Sequence, residues 1–565
     1  MTRADSRITP GGGQVRLGAE GAVQATKPYS VRWRRRGPAL PPGATVAPPR
    51  AAIRRTSGDE SPSRADCEGY SDDMDADSRS PHSGSGSPAP GPGGGGPALS
   101  RRGALRLGVG AAAVLGSGRG VSARADPGMW AELRDRVRGR VLVPGDGEYA
   151  AAARLFDPRF DGRAPAGVVA AADADDVRAA VGFAAERGLA VAARAGGHSY
   201  VGASATTDAV VVDVRRLDRV AVAGDTVTVG AGVTLFPLLR ELARFGRALP
   251  VGTCPTVGLA GLTLGGGLGV DSRAYGLTCD RLVAVDLVLP GGEARTVSDS
   301  RFPDLFWALR GAGGTVGVVT SLTLRTHAAT AKDVVRLTFP RDATVRALLG
   351  WARWMPTAER SVWAGLTVSV EAGDAVCRAL LVCPAGLGDA ATAEFAAAVG
   401  VSPSAKESYT LDHLDAVRTL AGGTTDTPRS TKAAGSDVVT DLTAAAERIV
   451  AHVFAGSRSR APGYALIDPL DGAVRDTDPT ASAFPWRRHA ATVQWLVDSP
   501  ADPAAAHRWV TEAHTALGTA TTGAYVNYPE PDTPAARYFG DNIGRLRTIR
   551  RLVDPDRRLR TGAGV

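Results

Sequence analysis

Two glycine-dense stretches, about 55 residues apart, constrain this chain more than any other feature. The first reads Arg194-Ala195-Gly196-Gly197-His198-Ser199. The second runs Gly252-Thr253-Cys254-Pro255-Thr256-Val257-Gly258-Leu259-Ala260-Gly261-Leu262-Thr263-Leu264-Gly265-Gly266-Gly267-Leu268-Gly269. Without Cβ atoms in the way, backbone N–H groups can approach a diphosphate or a flat heterocycle closely. The common nucleotide and hydrolase loops fail here on spacing. A GxGxxG fingerprint starting at Gly265 would need glycine where Val270 stands, and no lysine supplies a Walker A loop. A GxSxG elbow around Ser199 would need glycine where Val201 stands.

Charge and cysteine usage remove other classes. The first 125 residues carry 18 Lys/Arg against 10 Asp/Glu, which is the whole of the net +8. The remaining body is neutral, so the basic patch of a nucleic-acid-binding domain is not expected. Five cysteines lack any CxxC or His/Cys cluster, so neither a disulfide framework nor a metal site is expected. Cys377 and Cys383 share a strand-like run, which would hold them roughly 20 Å apart.

Residues 1–99 are rich in Pro, Gly, Ser and Arg with no apolar period, and read as a disordered extension or a misplaced start ahead of Met74. Ser100-Arg101-Arg102, an apolar run over 104–116 and Ala123-Arg124-Ala125 read as a twin-arginine-type signal spanning 100–125. That predicts a secreted or extracytoplasmic protein, cytoplasmic if the signal goes unused. The apolar run is too short to cross a bilayer, so no membrane span is expected.

The folded part is expected from near Pro127. Asp173 with Asp176 three residues on predicts a helix start, and Gly188 its end. Strands are expected over 189–193, 209–214, 281–289 and 317–325. A hairpin is expected at Gly224-Asp225, and a leucine-faced helix over 234–245. Strands and helices beyond Ala328 (334–339, 344–354, 361–370, 375–382, 390–399) predict an α+β domain on an antiparallel sheet. Residues 422–432 read as a polar loop.

The paired motifs resemble the berberine-bridge-enzyme-like and glucooligosaccharide-oxidase-like FAD oxidoreductases, of the vanillyl-alcohol-oxidase type. The tail resembles them too, in Tyr525-Val526-Asn527-Tyr528, Tyr538-Phe539-Gly540, Asn542, Arg545-Leu546 and Asp554-Pro555. The resemblance implies a two-subdomain PCMH-type FAD-binding domain over 135–328 and an inserted substrate domain over 329–515. A segment over 516–565 would return to the first domain. It implies FAD held bicovalently, through an 8α-histidyl bond at His198 and a 6-S-cysteinyl bond at Cys254. Arg194, Gly196, Gly197, Ser199, Val257, Gly258, Gly261, Gly265, Gly266, Gly267, Gly269, Gly317, Val318 and Asn542 match positions near the cofactor. Thr315-Val316-Gly317 stands where the family commonly has Asn-Phe-Gly. A small Val257 after Cys254 points to oxygen access, hence to an oxidase.

The resemblance marks Tyr525 as the catalytic tyrosine, with Asn527 supporting it. Gln494 falls on a strand facing the flavin, where it can orient but not act as a base. No carboxylate stands out as a partner for Tyr525. The expected reaction oxidises a sugar or natural-product alcohol, with O2 reduced to hydrogen peroxide. The alternatives are a dehydrogenase using another acceptor, a secreted flavin-carrying glycan-binding protein, and more distantly a non-flavin hydrolase.

Overall fold

Run length and alternation sort the strands into two kinds. The computed structural model describes residues 127–458 and 462–565. The expected extension and export signal lie outside the described residues. Among those described, no helix is long and apolar enough to cross a membrane.

The first half holds two sheets. Strands β1 (Arg140–Leu142), β2 (Gly167–Ala170), β3 (Val191–Arg194) and β4 (Val210–Asp213) lie in the order β1-β2-β4-β3. β2 and β3 run parallel to β4. The two faces of this sheet feed different apolar clusters, Val210 and Val212 in one and Val211 in the other. This is why β4 is an unbroken valine run rather than an alternating one. The helix Ala174–Glu186 starts at Asp173, whose carboxylate accepts from the Asp176 amide, and ends at Gly188 (φ +62°).

The second sheet is antiparallel. It uses β5 (Val220–Ala223), β6 (Thr226–Gly230), β8 (Leu282–Val288), β9 (Ala294–Ser298) and β10 (Val318–Arg325), ordered β5-β6-β10-β8-β9. The short strands β7 (Arg247–Ala248) and β11 (His327–Ala328) pair separately. The helix Leu235–Ala243 buries Leu235, Leu238, Leu239 and Leu242, as its spacing predicts.

The second half is an eight-stranded antiparallel sheet. Its strands are β12 (Lys332–Thr338), β13 (Trp363–Glu371), β14 (Asp374–Pro384), β15 (Ala405–Leu411), β16 (Lys432–Val439), β17 (Tyr464–Pro469), β18 (Ala491–Asp498) and β19 (Thr521–Gly523). They are ordered β15-β12-β14-β13-β17-β18-β16-β19. Helices Thr344–Trp354, Gly388–Val399, Leu442–Gly456 and Pro503–Leu517 share a core with one face. Ala465, Ile467, Val493, Trp495 and Val497 point into that core. By strand alternation Tyr464, Leu466, Asp468, Thr492 and Gln494 face the other way. The register sets Leu466 opposite Gln494 and Asp468 opposite Thr492. Cys377 and Cys383 are both buried in β14 and free.

β19 keeps the chain in this sheet until Gly523, so the return segment begins there rather than at 516. Its end reaches β3, where the Val191 amide donates to Arg558 O (2.9 Å) and the Arg560 amide to Val191 O (2.8 Å). A buried charge cluster ties the return to the sheet. His514 Nδ1 and Nε2 lie 2.8 Å from Asp437 and Glu530 respectively. Asp437 also accepts from Arg537 (2.8 Å) and Thr521 (2.6 Å). Burial opposes charge on His514, but its two carboxylate partners outweigh it and push the imidazole up to about 9.

The stabilisation from this raised imidazole is therefore complete below the ordinary histidine value of about 6.5 and fades as pH climbs through about 9. Urea unfolding of wild type and His514→Gln at pH 6.5 and pH 9.5 measures it. The gap between the two proteins should be on the order of 3 kcal/mol at the lower pH and shrink clearly at the higher.

Candidate active site

β3 delivers the first glycine loop and the turn before the helix Leu259–Leu264 delivers the second. They touch backbone to backbone. A Cβ on Gly196 would lie 2.4 Å from the Gly258 amide nitrogen, and one on Gly258 would lie 2.5 Å from that of Gly196. Both positions must be glycine for the loops to close.

This contact brings the two expected nucleophiles to one hydroxyl. His198 Nε2 lies 3.0 Å from Thr256 Oγ1, and Cys254 Sγ lies 3.8 Å from the same atom. Phe156 stacks on the imidazole at 4.0 Å. Burial lowers His198 to about 4, against a raising hydrogen bond to Thr256 and with a further push from Lys432. At neutral pH the ring is uncharged and keeps a lone pair. Cys254 is half-buried and free, with Thr427 Oγ1 at 3.6 Å. Thr427 belongs to the loop after the helix His413–Leu420, which is pinned to the first domain by Arg429 donating to Leu155 O (2.7 Å) and pairing with Asp161.

The residues fit an FAD. The amides of Gly196, Gly197, His198 and Ser199 find no acceptor among the described residues. Successive free N–H groups of this kind form a concavity for an anion such as a diphosphate. A Cβ on Gly261 would meet nothing within 4 Å, so that face is open as well.

Several expected cofactor contacts have other jobs. Arg194 is a correction: its guanidinium is buried in an ion pair with Asp213 (2.7 Å), so it braces the loop from below. Asn542 Nδ2 donates to Pro479 O (2.9 Å) and Ser482 O (3.1 Å), bracing that loop. Gly317 must be glycine because a Cβ would lie 2.7 Å from Val288 O, and Val318 opens the buried strand β10. The Ser199 hydroxyl accepts from the Ala203 amide (3.2 Å). In the Gly265–Gly269 run the missing Cβ atoms make room for protein: Asn527 at Gly265, Thr278 at Gly267 and Val251 at Gly269. Tyr525 is fully buried under this run. Its hydroxyl accepts from the Gly267 amide and from Asn527 Nδ2, both at 2.8 Å. Burial nevertheless pushes its phenol above the usual value, against these two bonds.

The face of the large sheet turned away from its helices carries Gln494, which sequence reading named, and Asp468, which it missed. Gln494 Nε2 donates to the Tyr200 hydroxyl at 2.9 Å. Tyr528 is half-exposed; its ring lies edge-on to Tyr525 at 5.0 Å and 6.1 Å from Tyr200. Burial, then the nearby Asp468 charge, raise its phenol well above the ordinary range. Asp468, also half-exposed, has no hydrogen-bond partner among the described residues, and burial pushes its carboxyl up to about 6. The signal was available in Tyr464-Ala465-Leu466-Ile467-Asp468, where alternation sets a carboxylate on the face opposite the core.

A glycine loop with unpaired amides beside a partnering antiparallel sheet suits a dinucleotide with a flat ring, and comparisons with known proteins name the class as FAD-dependent oxidoreductases. Residues 165–298 match the family model described as FAD binding domain, and residues 524–565 the one described as berberine and berberine like. An uncharacterised FAD-linked oxidoreductase of Bacillus subtilis, YgaK, is 28% identical over 75% of this chain and 96% of its own. A chitooligosaccharide oxidase of Gibberella zeae is 29% identical over 69% of this chain and 85% of its own. The solved structure of a chitooligosaccharide oxidase superposes with a TM-score of 0.71 at 22% identity, covering 77% of this chain and 99% of the other. A xylooligosaccharide oxidase from Myceliophthora thermophila gives 0.69 at 25%, covering 77% and 99%. The chain thus carries an FAD-binding domain and a berberine-like segment, and is similar to FAD-linked oxidoreductases along most of its described length.

Gly258→Ala should force the two loops apart and lower both the melting temperature and the flavin absorbance per protein, at a cost of about 1–3 kcal/mol. Gly261→Ala, with open space at its Cβ, should leave the melting temperature near wild type. Differential scanning and the visible flavin band read both effects.

Proposed function

We propose that this protein is an oxidase of carbohydrate-like alcohols, using FAD tethered through His198 and Cys254. The observation that carries the reading is the meeting of a free cysteine and a neutral, stacked histidine at one threonine, the histidine lying two residues before Tyr200, which packs near Tyr528 and bonds to Gln494. The chitooligosaccharide and xylooligosaccharide oxidases among its relatives support the substrate class. The mixture of hydroxyl, amide and aromatic groups on that face suits a polyol.

When bound, FAD supplies a two-electron acceptor for the carbon-bound hydrogen of the alcohol, and dioxygen takes the electrons onward as hydrogen peroxide. The chain's own task is the hydroxyl proton. Tyr528 stands next to Asp468, and a carboxyl pushed up to about 6 is mostly ionised at neutral pH while remaining a competent base. Asp468 accepts the proton. Gln494 and Tyr200 orient the substrate through their mutual hydrogen bond. Tyr525, expected to be the catalytic tyrosine, in this reading holds the glycine run and Asn527 in place under the flavin. Small, half-buried Val257 beside Cys254 leaves room for oxygen. The twin-arginine-type segment would export the protein already folded and loaded.

Oxygen consumption with a panel of oligosaccharides, read together with peroxide yield, tests the activity; no peroxide under air would indicate a dehydrogenase. Turnover should rise with pH through about 6 as Asp468 ionises. In Asp468→Asn that limb should vanish and kcat fall by ~10²–10⁴-fold, with the flavin band retained. An unchanged limb would remove Asp468 from the mechanism.

A further inference from the structure

The flavin site contains a side chain that no part of the proposed reaction uses. Thr256 Oγ1 is the only atom among the described residues placed within reach of both linking groups, at 3.0 Å from His198 Nε2 and 3.8 Å from Cys254 Sγ. It sits two residues after Cys254, on the stretch whose backbone presses against Gly196. A Cβ on Gly196 would lie 3.0 Å from the Thr256 carbonyl oxygen, so this threonine cannot drift relative to the histidine loop. The contact occupies Nε2 and leaves Nδ1 without a partner among the described residues. Phe156 covers the ring and prevents it from turning over.

We infer that Thr256 is the positioning residue for flavin attachment: its hydroxyl fixes the His198 tautomer with Nδ1 as nucleophile and takes up the proton that each link releases. The inference rests on the covalent reading given above. At His198 the Nδ1–C8α bond forms, while one C–H bond of the flavin 8α methyl and the Nε2–H bond break. At Cys254 the S–C6 bond forms, while the S–H and ring C6–H bonds break. Each event leaves two electrons on the flavin. Dioxygen removes them, with the two released protons, as hydrogen peroxide. A hydroxyl is suited to this task because it accepts from one group and donates onward in the same contact. Thr427, which touches only the sulfur, can serve the cysteine link but not the histidine link.

The full chain, produced under riboflavin limitation and mixed with FAD in air, provides the test. Aliquots are acid-precipitated over time, pellet flavin is quantified, and the His198 and Cys254 peptides are mapped by mass. Wild type should carry flavin on both. Thr256→Val, nearly isosteric, should slow both attachments by roughly tenfold or more, the scale of one hydrogen bond to a developing charge. Thr256→Ser should restore the rate, which a packing role would not produce. Thr427→Val should slow the Cys254 link alone. Non-covalent FAD binding by each variant, followed by flavin fluorescence quenching, shows that the site is folded. Attachment at the wild-type rate on both peptides of Thr256→Val overturns the inference, as does failure of Thr256→Ser to recover. Wild-type pellets free of flavin overturn the covalent reading itself, and this inference with it.

Discussion

Everything at the site depends on one close approach, the backbone of Gly196 against the backbone of Gly258. Neither loop alone is a site. The first offers free amides and a histidine; the second offers a cysteine and a threonine. Pressed together, they place the histidine and the cysteine at a single hydroxyl. The approach is possible because neither residue has a Cβ, and it is held from behind by the buried Arg194–Asp213 pair joining β3 to β4. A buried charge pair is weak evidence for stability in general. Here its value is geometric, since it fixes where the loop leaves the strand.

The two halves contribute different chemistry to the site. The first half supplies groups whose positions come from backbone conformation: amides, tight glycine turns, a stacked imidazole. The eight-stranded sheet supplies groups whose positions come from register. Asp468 is opposite Thr492, and Leu466 opposite Gln494, so the carboxylate and the amide are offset along neighbouring strands. The return segment then brings Tyr525 and Tyr528 between the two, anchored through Ser436, whose hydroxyl accepts from the Tyr525 amide at 2.9 Å. The Asp437–His514–Glu530 cluster lies behind that anchor.

Local signals were legible in the sequence, and long-range ones were not. The Asp173 cap, the Gly224 hairpin and the leucine face of the helix Leu235–Ala243 depend on residues a few positions apart, and the structure has them where spacing put them. The histidine and cysteine were singled out because their glycine-rich motifs are contiguous in sequence, and the structure brings both to Thr256. Arg194 was placed near the cofactor by resemblance alone, and its partner Asp213 lies nineteen residues downstream, beyond the reach of the motif. Asp468 and Tyr528 went unseen because they meet only once β17 and the return segment are in place, about 60 residues apart in the chain. The strand β15 and the helix His413–Leu420 were missed for a related reason: β15 is an exposed edge strand with no apolar alternation to betray it.

The strand that presents the histidine loop obtains its outer neighbour from Arg558–Arg560, through the bonds to Val191. A ribosome building this chain therefore releases the loop more than 350 residues before the strand that borders it. A chain lacking Arg558–Arg560 would leave the outer edge of β3 without these two bonds.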